Sequence, residues 1–395
     1  MSNRRGFFGQ LLSAGAGLFA GRQLLAAQGQ PVGVPPLVET PDTPRLPYNL
    51  VAGVKEFHLV AEPVRTQFLP GREVDVWGFN GSCPGPTIEV NEGDRVRVVF
   101  HNKLPEMTAV HWHGLELPMD VDGVPGIAMD PIPPGGMFTY EFTVNQNGTY
   151  FYHSHFPMQE MMGMIGFFIV HPKVAHTPKV DRDFGIILQE WDILPNNTVP
   201  NTFAMEFNWL TMNGKAGPAT TPMLARQGER IRIRFVNLGM DHHPMHLHGH
   251  QFFVTGTEGG RIPEVGWYPG NTVLVGVAQA RDVEFEAKYL GDWMIHCHLP
   301  HHMMNQMVPM VGPMSTSGHE GHDMGDMETA SKVPGYPQDM WMPMDELMPA
   351  KPELLGLRKG WTGGMMGMMT LIRVLPPDLY DKIMDLKKQQ NAQNL

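Results

Sequence analysis

Cysteine is nearly absent. The 395 residues hold two, Cys83 and Cys297. If one thiol is a ligand the other has no partner, so a disulfide framework is not expected, and Cys83 reads as a small buried apolar residue. Long apolar runs are also missing. The stretch from Leu11 to Ala20 is followed at once by Arg22, and a membrane-spanning helix needs about 20 apolar residues. No stable membrane insertion is expected. Positive charge is scarce: 29 Lys and Arg stand against 40 Asp and Glu, a net charge of −11. That balance argues against nucleic acid and anionic membrane surfaces as partners.

What is present is unusual in two residue types only, 31 Met and 19 His. Thioethers and imidazoles together are a compositional sign of copper handling, although Met also fills cores. The hydrophobic fraction, 42%, allows a sizeable core, and the length suggests two or three domains.

The N-terminus reads as a twin-arginine export signal over residues 1–28. Arg4-Arg5 precedes a mild apolar stretch and the small residues Ala26-Ala27. A periplasmic or otherwise exported location follows. Residues 29–49 are rich in proline and read as a linker. Short strand-like runs punctuated by Gly, Pro and Asn then continue, as in an antiparallel sandwich. They occur twice. Gly93-Asp94-Arg95-Val96 is echoed by Gly228-Glu229-Arg230-Ile231, an offset of 135, and Gly148 to His155 by Gly291 to His298, an offset of 143. The expectation is an all-β chain with one domain at 50–173 and a second at 174–315. Residues 316–395 would form a Met-, His- and Gly-rich tail, with a stretch near 363–375 able to pack as a strand or arm on a neighbouring surface and a short helix near 378–388.

His-x-His occurs four times: His111/His113, His153/His155, His246/His248 and His296/His298. In an extended strand both histidines of a pair share a face and the residue between them takes the other. One such pair means little. Four, matched across an internal repeat, point to eight imidazoles that converge and hold three copper ions with open positions for a diatomic ligand. Cys297, His302 and Met307 are the thiolate, imidazole and thioether of a blue-copper electron-transfer site, and His243 is the second imidazole. Subtracting the offsets gives Thr108, Ser154, Gln159 and Met164 in the first domain. Three of the four ligands are absent there, so one such site is expected, in the second domain.

These motifs resemble those of the multicopper oxidases, the laccase-like and cuprous-oxidase group, over roughly residues 50 to 312. The resemblance implies two cupredoxin-like Greek-key β-sandwiches. It implies four coppers per functional unit, with one-electron oxidations coupled to the four-electron reduction of O2 to water. Carried over by position, His243, Cys297, His302 and Met307 would hold type 1 copper. His111 and His246 would hold type 2. His113, His153 and His298 would hold one type 3 copper, and His155, His248 and His296 the other. Asp122 would assist proton delivery. Met303 follows His302 where many three-domain relatives carry an acid. The middle domain of those relatives is missing, and two-domain relatives form homotrimers with intersubunit trinuclear sites, so a homotrimer is expected.

The reducing substrate is read as Cu(I), phenolic compounds or both, because thioethers favour Cu(I). Two alternatives differ in class. A copper nitrite reductase would carry its thiolate site in the first domain, where Ser154 stands. A copper-sequestering protein would not need a tuned redox site. His58, His101, His171 and His176 read as surface or structural groups. His242, His250 and His301 neighbour ligands off register, as supporting groups would.

Overall fold

The computed structural model describes residues 35–194, 196–305, 341 and 343–393. The export signal, Met307 and the Met/His-rich stretch at 316–330 lie outside the described residues.

The first half contains β1 (Tyr48–Val51), β2 (Val54–Leu69), β3 (Arg72–Phe79), β4 (Gly85–Asn91), β5 (Arg95–Asn102), β6 (Val110–His113), β7 (Met137–Thr143), β8 (Gly148–Ser154), the short helix α1 (Pro157–Met161) and β9 (Ile165–His171). One sheet runs β1-β2-β5-β7 with β3 on β2, and the other runs β4-β9-β8-β6. They face each other across Phe57, Val98, Trp112, Tyr140 and Phe168. β5 alternates as an outer strand should, Val96, Val98 and Phe100 inward. β9 is buried along its whole length. Phe168 and Val170 enter the first core, while Ile165, Phe167 and Ile169 pack with Ile187, Val236 and Ala280 of the second half.

The second half contains β10 (Arg182–Trp191), β11 (Trp209–Met212), β12 (Met223–Arg226), β13 (Arg230–Asn237), β14 (His243–Leu247), β15 (Phe252–Thr257), β16 (Gly260–Arg261), β17 (Tyr268–Gly270), β18 (Thr272–Val275), β19 (Gln279–Glu286), β20 (Gly291–Cys297), β21 (Met369–Leu375) and the helix α2 (Pro377–Gln393). Its sheets run β11-β10-β13-β19-β15-β16, with β17 on β15, and β12-β21-β20-β14-β18.

Two expected boundaries change. The second sandwich does not end at 315. β21 lies between β12 and β20, and Ile372 and Val374 enter the second core. Arg373, buried in that strand, donates to Asp292 Oδ1 at 2.6 Å and to the Glu353 and Leu355 carbonyls at 2.6 and 2.9 Å. Of the two forms expected near 363–375 the strand is the one present, and because its apolar face completes a core it is part of the domain. The segment expected as a linker to 49 is also packed over its described part. Val38 is buried, Glu39 N–H donates to the Asp183 carbonyl at 2.8 Å and Leu46 N–H to Thr87 at 2.9 Å. The expected terminal helix near 378–388 falls within α2, with Tyr380 and Ile383 against Leu224 and Leu375.

Candidate metal centre

β6 and β8 pair so that His111 lies opposite His153. Between His111 and His113, Trp112 points inward and packs on Tyr140 and Phe168 at ring separations of 5.2 and 5.7 Å. Burying such a side chain stabilises by about 1.5–3 kcal/mol. That anchor fixes the opposite face, where the imidazoles stand. The second sandwich repeats the arrangement: His246 lies opposite His296 and buried Leu247 takes the inward place.

Each set is bound into a cluster. His111 lies 5.7, 5.4 and 5.4 Å from His113, His153 and His155 between ring centres. His246 lies 4.8, 5.6 and 5.5 Å from His248, His296 and His298. The ring orientations are held by backbone carbonyls. His111 Nδ1 pairs with the Asp122 carbonyl at 2.8 Å, His153 Nδ1 with Ser154 at 2.8 Å, His246 Nδ1 with Asn271 at 2.7 Å and His296 Nδ1 with Cys297 at 2.8 Å. A carbonyl can only accept, so Nδ1 carries the proton and Nε2 keeps its lone pair for a metal. Facing nitrogens stand 3.3 Å apart at His113/His153 and 3.0 Å apart at His248/His296. Burial first, then the neighbouring His153, pulls His113 down to about 4. Burial lowers His111, His248 and His296 as well. Neutral imidazoles with converging lone pairs are what a divalent or cuprous ion requires.

Asp122 enters through a turn whose Gly123, at φ 86°, sits so close to the Val110 carbonyl that a Cβ would overlap it. The Asp122 carboxylate is 3.6 Å from His111 Nδ1.

Cys297 points to the other face of β20, into the second core. Its Sγ is 3.7 Å from His243 Nδ1 and 3.6 Å from His302 Nδ1, and the two nitrogens are 3.1 Å apart. Three ligands about 2.0–2.3 Å from one metal and near trigonal stand roughly 3.5–3.8 Å from each other; the two sulfur–nitrogen separations meet this, and the nitrogens, at 3.1 Å, stand closer. The donor set, two imidazoles and a thiol, is that of a blue-copper site. Burial pushes Cys297 up to about 12; a metal must displace that proton. Burial, then His302, holds His243 down to about 3, and His243 Nε2 is buried without a partner.

The repeat-equivalent positions of the first sandwich hold no such set. Thr108 Oγ1 and Ser154 Oγ each donate to Gln159 Oε1 at 2.7 Å and lie 3.3 Å from each other. Gln159 Nε2 donates to the Met107 carbonyl at 2.9 Å. All three side chains are buried. A neutral hydrogen-bonded triad fills the space that imidazoles and a thiol line in the second sandwich.

Sequence reasoning missed Glu190 and Asp241. Asp241 Oδ2 is 3.4 Å from His302 Nε2. Glu190 is buried, and its Oε1 accepts the N–H groups of Met240 and of Asp241, the latter at 2.6 Å. Burial raises it to about 8. Asp241 stands two residues before His243, a usable signal; Glu190 is an isolated acid more than 50 residues away and gives none. Of the histidines off register, His250 Nδ1 lies 3.3 Å from the His248 carbonyl and His242 Nδ1 accepts from Val277 N–H at 3.0 Å. His171 is buried against Glu89 at 2.8 Å.

Two packed β-sandwiches, a sulfur-imidazole site and a pair of four-histidine clusters define a copper redox protein of duplicated build. The chain belongs to the multicopper oxidase family: family models described as multicopper oxidase match residues 61–175 and 192–312. It is 41% identical over 123 residues to copper resistance protein A of Pseudomonas syringae pv. tomato, covering 31% of this chain and 20% of that one. It is 32% identical over 237 residues to laccase-2 of Botryotinia fuckeliana, covering 54% and 40%. A blue copper oxidase structure from Nitrosomonas europaea matches with a TM-score of 0.59 and 32% identity, over 64% of this chain and 81% of that one. The chain spans from a fifth to about half the length of the curated relatives it matches.

Proposed function

We propose that the protein is an exported, laccase-like oxidase that couples one-electron oxidation of Cu(I), phenolic compounds or both to the four-electron reduction of O2 to water. Four bound coppers, one of type 1, one of type 2 and two of type 3, would supply the redox steps. His243, Cys297 and His302 would hold type 1. His111 and His246 would hold type 2, and His113, His153, His298, His155, His248 and His296 the type 3 pair. The carrying observation is covalent adjacency. Cys297 belongs to the sulfur-imidazole site, and its neighbours His296 and His298 belong to the histidine cluster on the opposite face. An electron at the thiolate is then one peptide unit from the oxygen-reducing centre. His302 would hold type 1 copper through Nδ1, and its Nε2 edge, beside the exposed Asp241, would be where electrons enter. Asp122 orients His111 through its carbonyl and places a carboxylate within reach of a proton bound for that face.

The functional unit is read as a homotrimer. Among the described residues, the close histidine ring pairs at the two clusters each join members of one sandwich. A trinuclear site needs both clusters, which a head-to-tail ring of chains supplies. Apolar side chains stand exposed beside each cluster: Met119 and Ile127 flank the Asp122 turn, and Leu274 lies on β18 next to β14. A nitrite reductase-like reading is disfavoured by the Thr108–Ser154–Gln159 triad, and a sequestering role by the sulfur-imidazole set of His243, Cys297 and His302.

Oxygen uptake by copper-loaded protein with Cu(I) or a phenol tests the activity. Cys297→Ser is expected to abolish the visible thiolate absorption and lower turnover at least about 100-fold, since the electron relay is lost; retained turnover would refute the reading. Sedimentation should give three chains per particle, and an active monomer would refute the assembly.

A further inference from the structure

The sequence spacing assigns the axial thioether to Met307, five residues past His302. The fold points elsewhere. In the first sandwich the chain leaves β8 at Ser154, passes Gln159 in α1, and returns at Met164 to start β9. Ser154 N–H donates to the Met164 carbonyl at 3.2 Å, and Met164 N–H donates to the Gln159 carbonyl at 3.3 Å. In the second sandwich the chain leaves β20 at Cys297 and passes His302. The residue that closes this loop is Met368, at the start of β21. Cys297 N–H donates to the Met368 carbonyl at 3.0 Å, and Met368 N–H donates to the His302 carbonyl at 2.8 Å. Met368 therefore repeats the place of Met164.

The sequence carries the same equivalence. Met161-Met162-Gly163-Met164 precedes β9, and Met365-Met366-Gly367-Met368 precedes β21. Both glycines have positive φ, 109° at Gly163 and 60° at Gly367, and a Cβ at Gly367 would overlap the His302 carbonyl oxygen. The two turns are built alike to bring the next residue against the loop. The second simply comes after a long insertion.

Register then places the side chain. β20 and β21 pair antiparallel with His296 opposite Met369. The next pair along that register is Cys297 and Met368, and directly opposed residues share a face of the sheet. Cys297 points inward, and Met368 is fully buried in the same core. Its backbone is tied to two ligand residues, so its thioether belongs to the side of the sheet where the site lies. Met245 also faces Cys297, from β14. Its counterpart opposite Ser154 is Val110, whereas the loop-closing place is a methionine in both halves.

We propose that Met368, rather than Met307, is the weak axial donor of the sulfur-imidazole site. This rests on the reading of His243, Cys297 and His302 as a copper site. An axial donor favours the oxidised cation, so strengthening it lowers the reduction potential and removing it raises the potential. Copper-loaded full-length protein is compared with Met368→Leu, Met368→Gln, Met307→Leu and Met245→Leu by visible absorption, electron paramagnetic resonance and redox titration. Leucine nearly conserves volume, so the fold is retained, which circular dichroism checks. Met368→Leu should raise the potential and Met368→Gln lower it, each with a displaced thiolate absorption and unchanged copper content. Met307→Leu and Met245→Leu should leave both readouts in place. The assignment is overturned if the Met368 pair does not move the potential in opposite directions, or if Met307→Leu or Met245→Leu moves it as far. A wild-type protein without thiolate absorption would overturn the copper reading, and the axial assignment with it.

Discussion

At the scale of single residues, the two sandwiches solve one packing problem in two ways. In the second, His243, Cys297 and His302 bring lone pairs together and leave His243 Nε2 without a partner. In the first, Gln159 Oε1 accepts from both hydroxyls and the set satisfies itself. Gln159→Leu keeps the volume but removes the acceptor that Thr108 and Ser154 share, leaving the two hydroxyls only each other at 3.3 Å to donate to. Leaving buried polar groups unpaired costs about 1–3 kcal/mol each. Denaturant unfolding of the metal-free protein should show a loss of about 2 kcal/mol, while the thiolate absorption of the copper-loaded variant stays unchanged. An unchanged unfolding midpoint would show that the triad is not holding the loop. The positions of this triad were legible from repeat arithmetic alone. Their mutual bonding was not, because arithmetic says which ligands are missing and nothing about what fills the space. Glu190 was illegible for a different reason: a lone acid has no periodic partner, and only the folding of the Met240–Asp241 backbone over it gives it a role.

At the scale of elements, alternation was the readable signal. Trp112, Leu247 and Cys297 each sit between two histidines and point inward, as the two-residue period of a strand demands. The paired strands β6/β8 and β14/β20 follow from the same period. β21 was not readable as a core strand. Its partner β20 ends at Cys297, and β21 begins at Met369. The Met- and His-rich stretch between them separates the strand from its domain, so the sequence offers a packing strand or arm at 363–375 without saying that the second core is where it packs. What ties the strand to the site is the turn at Gly367. Gly367→Ala puts a Cβ into the His302 carbonyl and a non-glycine residue at positive φ. Strain of this kind costs about 1–3 kcal/mol. Thermal unfolding should fall by several degrees, roughly the shift that about 1–2 kcal/mol produces, and copper should leave the sulfur-imidazole site faster on dilution into chelator. A variant with wild-type unfolding temperature and copper retention would mean that the turn does not brace the ligand loop.

At the scale of the whole molecule, the two sandwiches are joined by apolar packing along β9 and by a buried charged network beside it. Asp183 on β10 accepts from Arg232 and Arg234 of β13, the latter at 2.9 Å. Arg234 also donates to Thr149 Oγ1 at 2.5 Å, and Thr149 in turn donates to Asp282 at 2.7 Å. This network crosses from one sandwich to the other through the Thr149 hydroxyl, held between an arginine and a carboxylate. Burial alone would raise the Asp183 carboxyl, but Arg232 and Arg234 outweigh it and hold the group well below its usual range. The sign follows. A carboxyl whose folded value is depressed binds fewer protons in the folded state than in the unfolded one. Its contribution is complete above the unfolded value near 4 and is lost as pH falls from there toward the depressed value. Acid therefore withdraws this contribution from about pH 4 downward, although the folded Asp183 carboxyl itself stays ionised after ordinary surface carboxylates have taken up protons. Asp183→Asn leaves two buried guanidinium groups against a neutral amide. Removing one partner of a buried pair costs about 3–5 kcal/mol. At neutral pH this variant should unfold earlier than wild type by that order, and the gap between them should narrow as pH is lowered from 5 to 3. A gap that is constant with pH would place the stabilisation in packing rather than in the Asp183 charge.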